Sequence, residues 1–506
     1  MSTTIKAPKQ SPYGMIAILL AGAFVSILNS TLLNVALPSM MKDLDVKETT
    51  IQWLATGYML VNGILIPTTA FLIQKFSVRQ LFITAMLLFT IGTITSALAG
   101  VFPILLTGRM IQAAGSAVMM PLLMNVLLTS FPIEKRGGAM GIFGLVMIFA
   151  PAIGPTLSGW IVEHYDWRTL FYMIIPFAVI VLTFAFFKLK DKKEKVSITI
   201  DALSLVLSSI GFGGLLYGFS SAGDKGWGSP AVYITLIVGA LSLASFIIRQ
   251  LRLEQPILDF RVYKYPMFAL ASAISILINM AMFSAMILMP IYLQQIRGIS
   301  PMDSGLLMLP GAIVMGIMSP ITGKLFDKYG AKALALIGLL ITVGTTYAFS
   351  QLTDSTTYTT LIIMYTVRMF GMSMVMMPVM TNGLNQLPQK LNPHGTAMNS
   401  TLSQVSGAIG TALLVTVMSS RTKHHAEDLI SKAMSKLTEQ PSPETLAQMK
   451  GHLLMEATIN GINDSFTVSV LIAAIAFIAA FFIKRVNVTA ASAKLQESPQ
   501  KQVVAK

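Results

Sequence analysis

The chain contains no cysteine, so disulfides, thiolate nucleophiles and cysteine-ligated metals are excluded. Charge is scarce as well. Asp, Glu, Lys and Arg make up 11% of the 506 residues, against 54% hydrophobic residues. An average soluble domain carries roughly 25% charged residues. A soluble fold with so little polar surface could not cover its apolar side chains, so the solvent must be lipid. Acids are the scarcer sign, 22 against 36 Lys and Arg, for a net charge of +14. The cations fall in short clusters between apolar runs rather than in one basic face. Such clusters contact anionic headgroups, so membrane lipid is the expected partner and nucleic acid is not. P-loop, H-E-x-x-H and G-x-S-x-G patterns are also missing. No nucleotide and no cofactor is therefore expected.

What is present is a series of long apolar runs. A spanning helix needs about 20 mostly apolar residues. Fourteen stretches qualify, near 14–38, 51–73, 80–99, 102–130, 138–161, 169–187, 201–220, 230–248, 266–293, 304–323, 332–351, 358–382, 395–419 and 465–483. The first is too long for a signal-peptide core and has no small-residue cleavage site, which makes it a retained helix. An even count puts both termini on one side. If that side is the cytoplasm, 24 of the 36 Lys and Arg fall inside and 10 outside, with Arg109 and Arg368 within spans. Half of the outer ones lie in one long loop, so the short outer loops are poor in positive charge. This asymmetry predicts cytoplasmic termini. Residues 188–195 read as a charged linker. The polar stretch 421–463 is expected to form a small extracytoplasmic helical hairpin, with Ser442-Pro443-Glu444 as a helix start. The tail after Arg485 is expected to be disordered.

A weak repeat runs through the chain at an offset near 250–260. Arg109-Met110 and Met119-Met120-Pro121 correspond to Arg368-Met369 and Met376-Met377-Pro378. Arg136-Gly137-Gly138-Ala139-Met140 corresponds to His394-Gly395-Thr396-Ala397-Met398, and Leu72 to Ser77 corresponds to Leu325 to Gly330. Duplicated halves are a common transporter plan. The expected organisation is a six-helix bundle over 1–190 and a two-helix insert with its charged linker over 191–255. A second six-helix bundle follows over 256–485, carrying the 421–463 loop, and then a tail over 486–506.

Gly323-Lys324-Leu325-Phe326-Asp327-Lys328-Tyr329-Gly330-Ala331-Lys332 fits G-x-L-x-D-x-x-G-x-K and resembles the loop motif of the major facilitator superfamily. Gly323 would permit close helix approach and Gly330 a tight turn. Asp327 would accept from a helix N-terminus or pair with a cation. The first-half copy has Gln74 in place of the acid and Ser77 in place of the glycine, so a charge relay here would be one-sided. Ala150-Pro151-Ala152-Ile153-Gly154-Pro155, with Ser158-Gly159, resembles the helix-5 antiporter motif of the same superfamily. Its small residues let backbones touch, and Pro155 would bend the helix. The run from Leu28 to Pro38, Gln52-Trp53, Tyr58, Trp167-Arg168, Phe171, Pro176 and Gly226-Trp227-Gly228 resemble the fourteen-helix drug:proton antiporters of the QacA/EmrB type. Gly461-Ile462-Asn463-Asp464 looks like the Gram-positive lincomycin-resistance members. The resemblance implies a major facilitator fold, alternating access, export of amphipathic drugs driven by a proton gradient, and a bacterial plasma membrane.

Many members of that family carry an Asp in helix 1 where this chain has Asn29, and no Asp or Glu stands in the middle of any span. A proton-coupled exporter needs a group that titrates on each cycle. The nearest acids are Glu163 and Asp166 at the outer end of helix 5 and Asp303 at the start of helix 10, and these are the coupling candidates. An embedded Arg costs about 3 kcal/mol on insertion scales, so Arg109 must face protein or water. With Gln112 it is the expected link between helix 4 and the substrate. Ser26, Ser30 and Asn34 beside Asn29 on helix 1, and Asn399, Ser403 and Gln404 on helix 13, mark the expected cavity walls. Gly154, Pro155 and Gly159 with Gly323, Asp327 and Gly330 are the expected conformational elements. His424, His425 and Glu427 cluster outside the membrane, and no metal site is expected. The reading is an all-α integral membrane transporter, not an enzyme, exporting cationic or neutral amphipathic small molecules. Export of an endogenous lipid or anionic metabolite is the alternative, favoured by Arg109 without an embedded acid. An enzyme would need converging His, Asp or Glu, and a receptor would not need paired transporter motifs.

Overall fold

The structure is a computed structural model describing residues 12–190, 201–435 and 443–485. Its described residues form helices and connecting turns, and fourteen helices are long and apolar enough to cross a membrane. These are α1 (Tyr13–Leu33), α2 (Trp53–Lys75), α3 (Val78–Ala97), α4 (Phe102–Ser130), α5 (Ile133–His164), α6 (Thr169–Lys188) and α7 (Ala202–Ala222). The series continues with α8 (Pro230–Arg252), α9 (Pro266–Ile296), α10 (Met302–Tyr329), α11 (Ala331–Phe349), α12 (Tyr358–Asn385), α13 (Gln389–Ser435) and α14 (Leu446–Ala480). Large apolar side chains such as Phe177, Phe184, Ile237 and Leu241 are exposed on the outer surface, as lipid requires.

The repeat seen in the sequence is a repeat of packing. In the first half α1 packs on α4, α5 and α6, α4 on α2 and α3, and α3 on α6. Adding eight to each number gives the second half: α9 on α12, α13 and α14, α12 on α10 and α11, and α11 on α14. The halves meet along two seams, α5 against α10 and α2 against α13. Helices α7 and α8 pair with each other, and α7 lies across both α2 and α13.

Both described chain ends lie at one face, called the near face below. The Tyr13 ring meets Phe131 in the α4–α5 turn, and Arg485 donates to the Asp327 carbonyl at 3.0 Å. The hydrogen bonds joining the halves gather at this face. The Gly137 and Gly138 N–H groups donate to the two Asp327 carboxylate oxygens at 2.8 and 3.0 Å. Arg136 donates to the Asn385 side chain at 3.0 Å, and Gln74 meets His394 at 2.7 Å. Glycine lets the α5–α10 seam close. A Cβ on Gly323 would run into the Gly137 carbonyl, and one on Gly141 would sit 2.6 Å from the Ser319 carbonyl. Towards the far face the helices diverge, and a Cβ on Gly305 would find only Thr156 at 4.0 Å.

One sequence expectation is amended. The 421–463 stretch is not a separate small hairpin, because α13 runs on as one helix to Ser435 and a single helix returns from Pro443 to Ala480. The two are joined where Gly461 lets the backbones approach, while Asp464 accepts from His425 at 2.9 Å and pairs with Arg421. Asn463 exchanges two hydrogen bonds with the Leu352 backbone, which accounts for the Gly461-Ile462-Asn463-Asp464 signature. Helix α5 stays helical through Pro151 and Pro155, whereas α12 breaks at Met374–Val375. Pro378 has no N–H for the Met374 carbonyl, and its ring crowds that turn. The Asp327 contact has an uncharged counterpart in the other half, Gln74 with His394, so the carboxylate contact itself is made on one side only. The expectations for 191–195, Ser442 and the tail lie outside the described residues.

Candidate functional site

A cavity of about 240 Å³ lies between the halves. Polar side chains project into it from opposite walls: Ser26 and Ser30 of α1, Tyr58 and Asn62 of α2 and Ser116 of α4, facing Asn399, Ser400, Ser403 and Gln404 of α13. The remaining wall is largely methionine, with Met119, Met120, Met124 and Met147 from the first half and Met376, Met377 and Met380 from the second. Among the described residues no Asp, Glu, Lys, Arg or His lines it. The break in α12 turns Met376 and Met377 towards this space. Methionine's unbranched, polarisable side chain suits a wall that must fit varied apolar shapes.

Arg109 stands one layer behind this wall. It is 1% exposed, and its guanidinium lies 4.3 Å from the centre of the Tyr58 ring. Its Nη1 donates to Gln112 at 2.9 Å, and Gln112 donates to Thr93 of α3 at 2.8 Å. The Tyr58 hydroxyl donates to Ser116 at 2.6 Å, and Ser116 donates to the Asn62 side-chain oxygen at 3.3 Å. A continuous chain therefore runs from the buried cation to the cavity surface. The Arg109 Nε has no partner. In the second half Arg368 is fully buried, donating to Thr346 of α11 at 3.3 Å and to the Ala281 carbonyl of α9 at 2.6 Å. Both arginines tie the third helix of their half to the fourth, with Gln112 interposed only in the first.

The other predicted residues divide by place. Asn399 and Gln404 line the cavity, whereas Asn29 is buried behind it with its amide nitrogen unpartnered. Asn34 lies on the same helix, and its side chain is outside the described residues. Gly154 lets α5 pack on Thr31 of α1, within one half, so this glycine serves the bundle wall rather than the seam. Ser158 reinforces this by donating to the Leu32 carbonyl at 2.5 Å, while Gly159 faces open space. Gly323 and Asp327 do sit in the seam. Gly330 ends α10 at a φ of 81°, a left-handed conformation that favours glycine.

Glu163, Asp166 and Asp303 are exposed at the far face. Asp166 pairs with Arg168 at 3.3 Å, and Asp303 accepts from Ser300 at 2.8 Å in a helix cap. Sequence reasoning missed Asn62 and Ser116 as wall residues. The four-residue spacing of Tyr58 and Asn62 was the available signal, since it puts both on one helix face.

Residues 19–411 match the Major Facilitator Superfamily. The chain is 47% identical over 508 residues to the uncharacterized MFS-type transporter YhcA of Bacillus subtilis (strain 168), covering 96% of each chain. It is 43% identical over 492 residues to the lincomycin resistance protein LmrB of the same organism, covering 96% of this chain and 99% of that protein. Its fold matches the crystal structure of the human organic anion transporter MFSD10 (TETRAN) with a TM-score of 0.65 at 12% identity, covering 93% and 100% of the two chains. The repeated packing, the glycine-lined seam and these matches agree: the chain belongs to the major facilitator superfamily of secondary transporters, close to the fourteen-helix drug-efflux proteins that include the lincomycin-resistance members.

Proposed function

We propose that this protein is a multidrug exporter of the bacterial plasma membrane, moving amphipathic compounds outward by alternating access in exchange for protons. The near face is cytoplasmic in this reading, as the Lys and Arg distribution requires, and the structure then corresponds to the state closed to the cytoplasm. The observation that carries the proposal is the cavity wall of methionines and uncharged hydrogen-bonding groups between the halves. Such a wall suits neutral amphipathic molecules better than cations, which would find no carboxylate there. Asn399 and Gln404 are the proposed substrate contacts on α13. Arg109 and Gln112 act from behind Tyr58, and Asn29 and Asn34 belong to the helix that forms the opposite wall.

Proton entry is assigned to the far-face acids Glu163, Asp166 and Asp303. The test is reconstitution in vesicles holding a pH-sensitive dye, challenged with neutral, cationic and anionic amphipathic compounds. Proton movement on adding neutral compounds supports the reading, and substrate flux without proton flux removes the antiport. Persistent coupling in Glu163→Gln with Asp166→Asn would leave Asp303 as the remaining acid. A second reading, export of an anionic lipid or metabolite, draws on two buried guanidiniums that have no carboxylate partner among the described residues. Selective flux of the anionic compounds would favour it.

A further inference from the structure

The near face is closed along both seams, by different chemistry. On the α5–α10 seam a carboxylate, Asp327, takes two backbone N–H groups. On the α2–α13 seam Gln74 holds the repeat position of Asp327, and His394 holds that of Arg136. Their side chains meet at 2.7 Å. We propose that His394 is the latch residue of this second seam: its neutral imidazole, held between Gln74 and the Asp259 backbone, locks the near face shut, and a proton taken up when the halves part opposes reclosure. The proposal rests on the alternating-access reading.

The hydrogen-bond geometry sets the protonation state. His394 is 5% exposed, and its Nδ1 receives the Asp259 N–H at 3.1 Å. A backbone N–H can only donate, so Nδ1 must keep its lone pair. The single ring proton then sits on Nε2 and donates to the Gln74 side chain, which requires the amide oxygen of Gln74 to face the ring; a doubly protonated ring would set Nδ1–H against Asp259 N–H. Of the charged groups near the ring, the Asp259 carboxylate favours a charged imidazole, and Arg261 partly offsets it. Asp259 accepts the Arg261 N–H at 2.9 Å and has the Arg261 guanidinium at 3.9 Å. Arg261 also donates to the Leu251 and Leu253 carbonyls. The Lys75 ammonium lies over the Phe71 ring, and Lys390 is exposed.

When the halves separate, the imidazole meets near-side water, where histidine titrates near pH ~6.5. Closure then requires that proton to leave. The closed state binds fewer protons, so closure is favoured above about pH 6.5 and weakened as near-side pH falls below it. A histidine whose surroundings stay the same in both states would give no such slope.

The test uses the full-length, cysteine-free chain in lipid nanodiscs, with spin labels on Phe76→Cys and Lys390→Cys, at the end of α2 and the start of α13. Distances are measured without substrate at about pH 8 and about pH 5.5. The closed-to-open ratio should fall on acidification, by up to about tenfold per pH unit below ~6.5. His394→Asn should abolish that response. Gln74→Leu should lower the closed fraction at both pH values and retain the slope. An unchanged distance in the unmutated latch, or an equal response in His394→Asn, overturns the proposal. Because no substrate enters, a failed export assay and a failed latch are read separately.

Discussion

The indole N–H of Trp167 donates to the Asp43 carboxylate at 3.1 Å. Arg168 reaches the same oxygen at 3.0 Å and the Ala99 carbonyl at 3.0 Å, and its guanidinium lies 4.2 Å from the Trp167 ring centre. One acid thus fastens the end of the first helix to the turn between α5 and α6, while Arg168 secures the α3–α4 turn. The Trp167 hydrogen bond first, and then Arg168, hold the Asp43 carboxyl below the usual carboxylate range. Its stabilisation is present above about pH 4 and is lost as pH falls through the lowered value. Asp43 is 44% exposed, so Asp43→Asn should cost only about 1 kcal/mol after solvent screening. Thermal melting in detergent across the acid range checks this: the wild-type advantage at neutral pH should vanish at the acid end.

Closure of the α5–α10 seam is testable with a single methyl group. Gly323→Ala would place a Cβ against the Gly137 carbonyl, whereas Gly159→Ala adds one where nothing lies within 4 Å. A reporter cysteine at Ala397, which is fully buried, should gain labelling by a near-side maleimide several-fold in Gly323→Ala and stay protected in Gly159→Ala. Equal protection in both would show that the seam tolerates the methyl group.

Arg109→Ala is expected to abolish substrate flux while the protein still inserts, because it removes the stack beneath Tyr58 and the tie to α3. The buried stack contributes about 2 kcal/mol. Arg109→Lys should restore only part of the activity, since an ammonium lacks the planar fork. Tyr58→Phe keeps the ring and loses the bond to Ser116, so it should weaken apparent substrate affinity more than it weakens folding. Flux assays paired with membrane expression separate these outcomes.

Fourteen spans, the duplicated halves and the near-face glycines were legible in the sequence, because hydropathy, spacing and small-residue patterns are local signals. Cavity contents were legible in part. Asn399 and Gln404 stood out as polar residues in an apolar helix, but Asn29 stood out equally and lies behind the wall. Which side of a fully apolar bundle helix meets a cavity depends on its neighbours, and in α1 the polar stripe is wide enough to face both ways. The Gln74–His394 pair was invisible for another reason. Its members are 320 residues apart, and the departure of Gln74 from the loop motif read only as a loss.

Orientation is open to cysteine scanning on this cysteine-free background. A cysteine at Met434, which is 45% exposed, should react with an impermeant reagent added to intact cells. One at Lys390 should react only after permeabilisation. The opposite pattern would invert the membrane orientation and with it the proposed direction of transport.

The length of α13 has a mechanical consequence. Its α-helical portion, Asn392–Ser435, is 44 residues without interruption, about 66 Å at ~1.5 Å per residue. It begins at the near-face seam and is braced along its length by α14. Such a rod works as a pointer. A tilt of about 10° pivoting at the cavity wall near Gln404 would sweep the tip, about 47 Å away, through ~8 Å, more than twice the movement at the near-face seam. Two fluorophores, one near Met434 and one on the outer turn beside Trp167, would therefore follow each rocking stroke of a single molecule from the aqueous phase, with no probe inside the transport path.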